Sequence, residues 1–206
     1  MSELHYDIVI VGGGPAGLTL ALALTRAMGG LKLALVDRRS FSVPKDQRAS
    51  AIAAGVRRVF EQLGAWDEVA PASEPIRRMK ITDSGTGDIS RPLFLSFEGE
   101  VKPGEPFAHM VPNTALAASL TKELDGKVDL VAPVEVTGFS GDGAIGRVSL
   151  ADGRTLLAPL VVASDGAMSA MRSYAGIGTF GHDYGQSGIV TTIAHTLPHE
   201  GTAFEH

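Results

Sequence analysis

Gly12, Gly14 and Gly17 fall in G-x-G-x-x-G register, with Pro15 and Ala16 between the last two, directly after an apolar run at residues 6–11 (YDIVIV). A loop of this kind holds phosphate. The first glycine allows a tight turn, the second lets backbone approach a pyrophosphate, and the third lets helix pack on strand. The helix behind it offers free N–H groups and a partial positive charge to an anion. Asp37 lies twenty residues beyond Gly17 at the end of the next apolar run, where a carboxylate bonds ribose hydroxyls. Arg38 and Arg39 follow. Either could face a 2′-phosphate, which would favour NADP over FAD, although Arg39 reads better as a solvated loop residue.

A second break of the same type lies at residues 161–172, VVASDGAMSAMR. An apolar strand stops at Asp165-Gly166 and opens into a helix that carries Arg172 on its second turn, another place to hold phosphate. Two such places suggest an enzyme that handles two nucleotides, or one nucleotide from two sides. The histidines at 5, 109, 182, 195, 199 and 206 show no metal-ligand spacing. His195 and His199 are separated by Pro198 in a strand-like stretch and read as surface residues. No residue stands out as a general base, and no catalytic residue is assigned.

The surrounding pattern supplies elements to position these groups. Residues 18–28 are rich in Leu and Ala and stop at Gly29-Gly30, as a helix would; 31–36 is a second strand, giving a βαβ unit with a parallel pair. After a polar loop at 38–47, Ile52, Val56 and Phe60 recur at helical spacing with Gly64 as the stop. Residues 76–97 alternate apolar and polar on either side of Gly85-Thr86-Gly87, an antiparallel hairpin. Its Met79, Ile81, Leu93, Leu95 and Phe97 read as core rather than as the lining of a substrate site. A helix over 113–124 puts Leu116, Leu120 and Leu124 on one face. A short strand at 128–131 and three alternating strands follow, broken by turns at 141–143 and 151–154. The last of them, 156–163, becomes wholly apolar and is expected to enter the parallel sheet before Asp165. Residues 189–196 alternate again and read as a further strand. The fold class is α/β, a Rossmann-like parallel sheet with an antiparallel β meander and part of an antiparallel sheet.

Composition narrows the partners. A formal net charge of −5 over 206 residues argues against a nucleic-acid binder. The chain has no cysteine, which excludes disulfides, thiolate metal sites and redox dithiols. No apolar run reaches the length of a membrane span and the first residues are polar, so a cytoplasmic protein is expected.

The succession GGGPAG, DQRASAIAAGVRRVFEQLGAW and VVASDGAMSAMR resembles the class A flavoprotein monooxygenases. DQRASAI, Leu63-Gly64-Ala65-Trp66 and Tyr184-Gly185-Gln186 bring it nearest to the hydroxylases of ubiquinone biosynthesis that act on polyprenylated phenols. The resemblance implies an FAD-binding domain over 1–75 and 104–180 and the start of a substrate domain over 76–103 and 181–206, each incomplete. It implies FAD as cofactor and NAD(P)H as transient electron donor. O₂ would react with the reduced flavin, and a small hydrophobic phenol would be hydroxylated, with peripheral contact at the inner membrane compatible with such a substrate. Gly12, Gly14 and Gly17 would hold the FAD pyrophosphate and Asp37 the adenosine ribose. Arg48 would reach the FAD phosphates, and Asn113 would contact the flavin side or serve as a plain helix cap. Asp165-Gly166 with Arg172 would order the pocket and help engage NAD(P)H. The family's Gly-Asp motif near the ribityl chain is absent and the length is about half the family's, so the chain is expected to be a truncated half, inactive alone.

Other readings remain open on the residues themselves. A flavin reductase or halogenase would share the fold, an NAD(P)-linked dehydrogenase would account for Asp37-Arg38, and a non-catalytic nucleotide-binding fragment would leave strand edges near residues 189–196. The oligomeric state is not encoded in any motif.

Overall fold

The computed structural model describes residues 2–43, 48–83 and 92–206. The expected turn at Gly85-Thr86-Gly87 and most of the second half of the 38–47 loop lie outside the described residues. In chain order the strands are β1 (Glu3–His5), β2 (Ile8–Val11), β3 (Leu33–Val36), β4 (Ala49–Ala53), β5 (Glu74–Ile76), β6 (Arg78–Thr82), β7 (Leu93–Glu98), β8 (Glu100–Lys102) and β9 (Glu105–Pro106). They continue as β10 (Ala108–Pro112), β11 (Asp129–Val131), β12 (Val136–Gly141), β13 (Gly146–Leu150), β14 (Thr155–Ala158), β15 (Leu160–Ala163) and β16 (Thr202–Glu205). The α-helices are α1 (Pro15–Ala27), α2 (Ala54–Gln62), α3 (Trp66–Val69), α4 (Asn113–Leu124) and α5 (Ala170–Tyr174). The fold is mixed α/β, as the alternation of elements implies.

The described chain forms two compact units, Met1–Pro44 with Ala117–Gly188, and Lys45–Leu116 with Ile189–His206. These packing units follow other boundaries than the expected cofactor and substrate domains.

In the first unit a parallel sheet runs β11-β3-β2-β15. Every residue of β2 and β3 is buried, which is why both read as unbroken apolar runs. A second sheet, β1-β14-β13-β12, is the meander, with β1 added parallel to β14. Val9, Val36, Val131, Val148 and Leu156 join one cluster drawn from both sheets. Each such side chain contributes up to about 1.5–3 kcal/mol against an extended chain, an upper bound.

Two strand boundaries move. The 6–11 run begins its strand only at Ile8, because the Asp7 carboxylate turns aside to accept the Lys32 amide at 2.7 Å. The 156–163 run is two strands and not one: Pro159, with no amide proton for a ladder, ends β14 in the meander, and β15 starts beside β2.

In the second unit β10 pairs antiparallel with both β4 and β5. Ile52 therefore sits in β4, ahead of α2, and the helical spacing that included it was partly coincidental. The hairpin β6–β7 forms as expected and β16 lies parallel to β6. Of the apolar residues expected in its core, Met79 and Ile81 are half-buried, while Leu93, Leu95 and Phe97 are 59%, 42% and 49% exposed. Residues 189–196 form no strand, and Ile189 is 94% exposed. The strand from this tail that pairs with β6 is β16, farther along the chain. Among the described residues no helix is long and apolar enough to cross a membrane.

Candidate cofactor-binding site

β2 delivers the chain into the glycine loop at Gly12, whose amide donates to the Val36 carbonyl at 2.8 Å. Its φ is +112°, and a Cβ there would lie 2.3 Å from the Ser164 carbonyl oxygen. At Gly17 a Cβ would lie 1.9 Å from the Gly12 oxygen, so only glycine lets α1 pack on the loop. At Gly13, an x position of the motif, a Cβ would lie 2.3 Å from the Phe41 ring, a side chain that can turn aside. Gly14 differs: a Cβ there would meet nothing within 4 Å. It is the N-cap residue of α1, with Pro15 at the first position, no side-chain cap and no acidic residue in the first turn. The loop is closed against backbone at Gly12 and Gly17 and open at Gly14, where a phosphate would approach a helix start that carries no side-chain cap.

Asp37 is held from several sides. Its amide donates to the Val131 carbonyl at 3.2 Å, and its carbonyl accepts from Val134 at 3.0 Å. Its carboxylate accepts the Gly13 amide at 2.7 Å and the Arg39 amide at 2.7 Å. One lone pair on each oxygen is left for a ribose hydroxyl. The Arg39 side chain is largely exposed, as expected of a solvated loop residue, with its Nε 3.6 Å from Asp37 Oδ1.

The Asp165 segment closes the other side. The Ser164 hydroxyl lies 3.0 Å from the Val11 carbonyl and 2.9 Å from that of Gly12, and shares its proton between them. The Asp165 carboxylate accepts the Ser169 hydroxyl at 2.6 Å and the Met171 amide at 3.1 Å. Burial works to raise the Asp165 pKa, but these hydrogen bonds outweigh it and hold the carboxyl below its ordinary value. The helix opens later than expected. Ser169 is its N-cap and α5 has five residues, so Arg172 sits on the first turn, not the second. The Arg172 guanidinium donates to the Ala167 carbonyl at 2.8 Å. Asp165 is thus a capping carboxylate, and Gly166, at φ +91°, bares backbone to the space in front of it.

Gly12, Gly14, Asp37, Arg38, Asp165 and Gly166 together line one cleft of about 260 Å³, which also takes in Arg39 and Ser164. That volume is at the small end of ligand pockets and suits part of a dinucleotide. Gly17 lies beneath the loop, Pro15 and Ala16 are exposed at the start of α1, and Arg172 is not in the lining. Arg48 and Asn113 belong to the second unit. There the Asn113 amide donates to the Arg48 carbonyl at 3.0 Å, and Asn113 Oδ1 accepts the Ser50 hydroxyl at 2.7 Å. Sequence reasoning missed Ser164 and the Val134-Glu135-Val136 wall. The serine preceding Asp-Gly was a readable signal for the first; nothing marked the second.

The open cradle at Gly14, the donor-rich loop and the acceptor at Asp37 fit an adenosine diphosphate moiety. Among the described residues no group of three or more His, Cys, Asp or Glu could hold a metal ion. His195 is exposed, and His199 Nε2 approaches Glu74 at 3.9 Å.

Comparison with known proteins gives the same direction. The profile of a family described as FAD binding domain matches residues 5–204. The chain is 36% identical to the ubiquinone hydroxylase UbiL of Rhodospirillum rubrum, over 97% of this chain and 46% of that protein. It is 31% identical to the 3-demethoxyubiquinol 3-hydroxylase of Escherichia coli, over 94% of this chain and 49% of that protein. The chain therefore spans about half the length of the curated relatives it matches. Among solved structures, the probable FAD-dependent monooxygenase pqsL of Pseudomonas aeruginosa superposes with a TM-score of 0.72 at 24% identity, covering 88% of this chain and 48% of that one. The flavin-dependent monooxygenase PieE, solved with FAD and substrate, gives 0.68 at 24% identity, over 85% and 33%. These structural likenesses show a shared fold.

Proposed function

Because the chain belongs to the family of FAD binding domains, we propose that it forms the FAD-binding portion of an aromatic hydroxylase of ubiquinone biosynthesis, reduced by NAD(P)H and using O₂. The observation that carries this reading is the glycine loop, packed against backbone at Gly12 and Gly17 and open at Gly14, with Asp37 fastened to its rim. The flavin, when bound, supplies the redox chemistry. What this chain's residues supply is position. The α1 N-terminus and the Gly14 backbone face the pyrophosphate, Asp37 accepts from the adenosine ribose, and Asp165-Gly166 bounds the cleft opposite. Pro15 and Ala16 set the first turn of α1, and Gly17 its packing. For Arg48 on the FAD phosphates, Asn113 on the flavin side and Arg172 toward NAD(P)H, the support is the match to the family's motifs.

In this reading residues 1–75 and 104–180 serve the cofactor and 76–103 with 181–206 face a hydrophobic phenol. A polyprenylated substrate would favour a cytoplasmic protein that touches the inner membrane peripherally. The test is to express the full-length protein and purify it with FAD. A yellow protein with a flavin spectrum that consumes O₂ only when phenol and NAD(P)H are present, and releases hydroxylated product, is the expected result. A colourless protein after refolding with FAD would overturn the reading. One observation favours a second reading: Arg38 and Arg39 both line the cleft. A nicotinamide dehydrogenase would bind NADPH tightly without flavin, and side-by-side titration separates the two.

A further inference from the structure

The second unit carries a cleft of about 620 Å³ that the reading above does not use, bordered by α2, by the β8–β9 ribbon and by His109 of β10. Four cationic side chains line it, Arg57, Arg58, Arg77 and Lys102, against two carboxylates, Glu61 and Glu105. Both carboxylates are already engaged. Glu105 accepts Arg57 Nη2 at 2.6 Å, Arg58 Nη2 at 2.6 Å and Arg58 Nε at 3.1 Å. Those hydrogen bonds, Arg58 first, pull its carboxyl down to about 2. Glu61 accepts Arg57 Nη1 at 2.7 Å. Arg77 is itself paired with Glu100, outside the lining, at 3.4 Å; the lining keeps four cations against two carboxylates, although the chain as a whole carries −5.

The cluster also has hydrogen-bonding capacity to spare. Arg57 Nε and His109 Nδ1 are buried without a hydrogen-bond partner among the described residues. Buried polar atoms left so are uncommon in native structures. His109 is braced edge-on against Trp66 at 5.3 Å, and the Arg57 guanidinium lies 5.9 Å from the same ring. Burial, then Arg57 and Arg77, push the His109 pKa below its usual value, so the ring adds hydrogen bonding and not charge.

We propose that this cleft binds a phosphate-bearing anion. Guanidinium forks match tetrahedral oxyanions, and the Glu105 pin holds two of them in place while Arg77 and Lys102 stand at the exposed rim. The volume admits a diphosphate with its attached group. The phosphate could be presented by a soluble nucleotide or by a phospholipid headgroup. The inference does not depend on the glycine-loop reading, and its readout does not involve FAD.

The test is calorimetric titration of the full-length protein with inorganic pyrophosphate, repeated in competition with NADPH and with phosphatidylglycerol or phosphatidylcholine vesicles. Wild type is expected to bind pyrophosphate, more weakly as salt rises. The rim variant Arg77→Glu/Lys102→Glu, which leaves the Glu105 pin intact, is expected to lose about tenfold or more in affinity with an unchanged melting temperature. Displacement by NADPH in wild type but not in the variant assigns the soluble source, and displacement by phosphatidylglycerol vesicles alone assigns the headgroup. Should the reversal impair folding, Arg77→Gln/Lys102→Gln carries the same expectation. No binding by wild type, or equal affinity in a folded rim variant, would overturn the proposal.

Discussion

The Asp37 carboxylate accepts the Gly13 amide proton at 2.7 Å, so the acid expected to meet a ribose also fastens the phosphate loop. Asp37→Asn should keep part of that hydrogen bond through its amide oxygen, whereas Asp37→Ala leaves the Gly13 N–H unanswered. A buried donor left unmade costs about 1–3 kcal/mol. FAD affinity, followed by flavin fluorescence, is therefore expected to fall in the order wild type, Asn, Ala. Melting temperature should drop clearly only in the Ala variant. Equal affinities for all three would remove Asp37 from both roles.

The four loop glycines make a sharper discriminator. Gly17→Ala drives a methyl to 1.9 Å from the Gly12 oxygen, backbone that has little room to yield. Overpacking of this kind typically costs about 1–3 kcal/mol or more. Gly14→Ala places its methyl in open space, so stability should change little while a pyrophosphate loses its closest approach. Chemical denaturation run beside FAD titration checks both: Gly17→Ala should fail on stability, Gly14→Ala on binding. A Gly14→Ala variant that binds FAD normally would mean that the ligand does not approach this residue.

Asp165 should behave as a capping residue. Removing it by Asp165→Ala strips the acceptor from the Ser169 hydroxyl and the Met171 amide, a cap loss of roughly 0.5–2 kcal/mol. Its pKa is lowered in the folded state, so its contribution is present above the ordinary carboxylate range near 3.9 and fades as pH falls through the lower folded value. Urea unfolding across the acid range should show wild type and variant converging as pH drops. A constant gap at every pH would mean the carboxylate charge plays no part.

These residues also show what could be read without a structure. The βαβ unit and α4 were legible because β2, β3 and the Leu116, Leu120, Leu124 face are buried as their patterns demand. Gly12, Gly14, Asp37 and Asp165-Gly166 were legible because their motif is local. Three things were not. A period-2 pattern at 189–196 carries no information on whether an edge is free to receive it. The continuous apolar run 156–163 hid a change of sheet at Pro159. The amphipathic reading of β7 assigned Leu93, Leu95 and Phe97 to a core, although in this chain they are exposed. The Ser164 bridge escaped because it joins residues more than 150 positions apart, a distance over which spacing has no meaning.

The Tyr6 phenol gives a test of the core at the opposite end of the pH scale. Tyr6 is buried, and its hydroxyl donates to Asp129 Oδ2 at 2.9 Å, tying the approach to β2 to β11. Burial, then the Asp129 hydrogen bond and charge, push its pKa up to about 12, against a smaller opposing pull from Arg154. The folded state therefore holds the phenolic proton more tightly than the unfolded chain. The stabilisation is complete below about 10, the unfolded value, and is lost as pH rises through about 12. Tyr6→Phe should cost about 0.5–1.5 kcal/mol at neutral pH for the lost hydrogen bond. It should also flatten the alkaline limb of the stability curve between those two values. An alkaline limb unchanged by the substitution would assign it to other groups, and an unchanged neutral stability would leave the Tyr6–Asp129 contact without energetic weight.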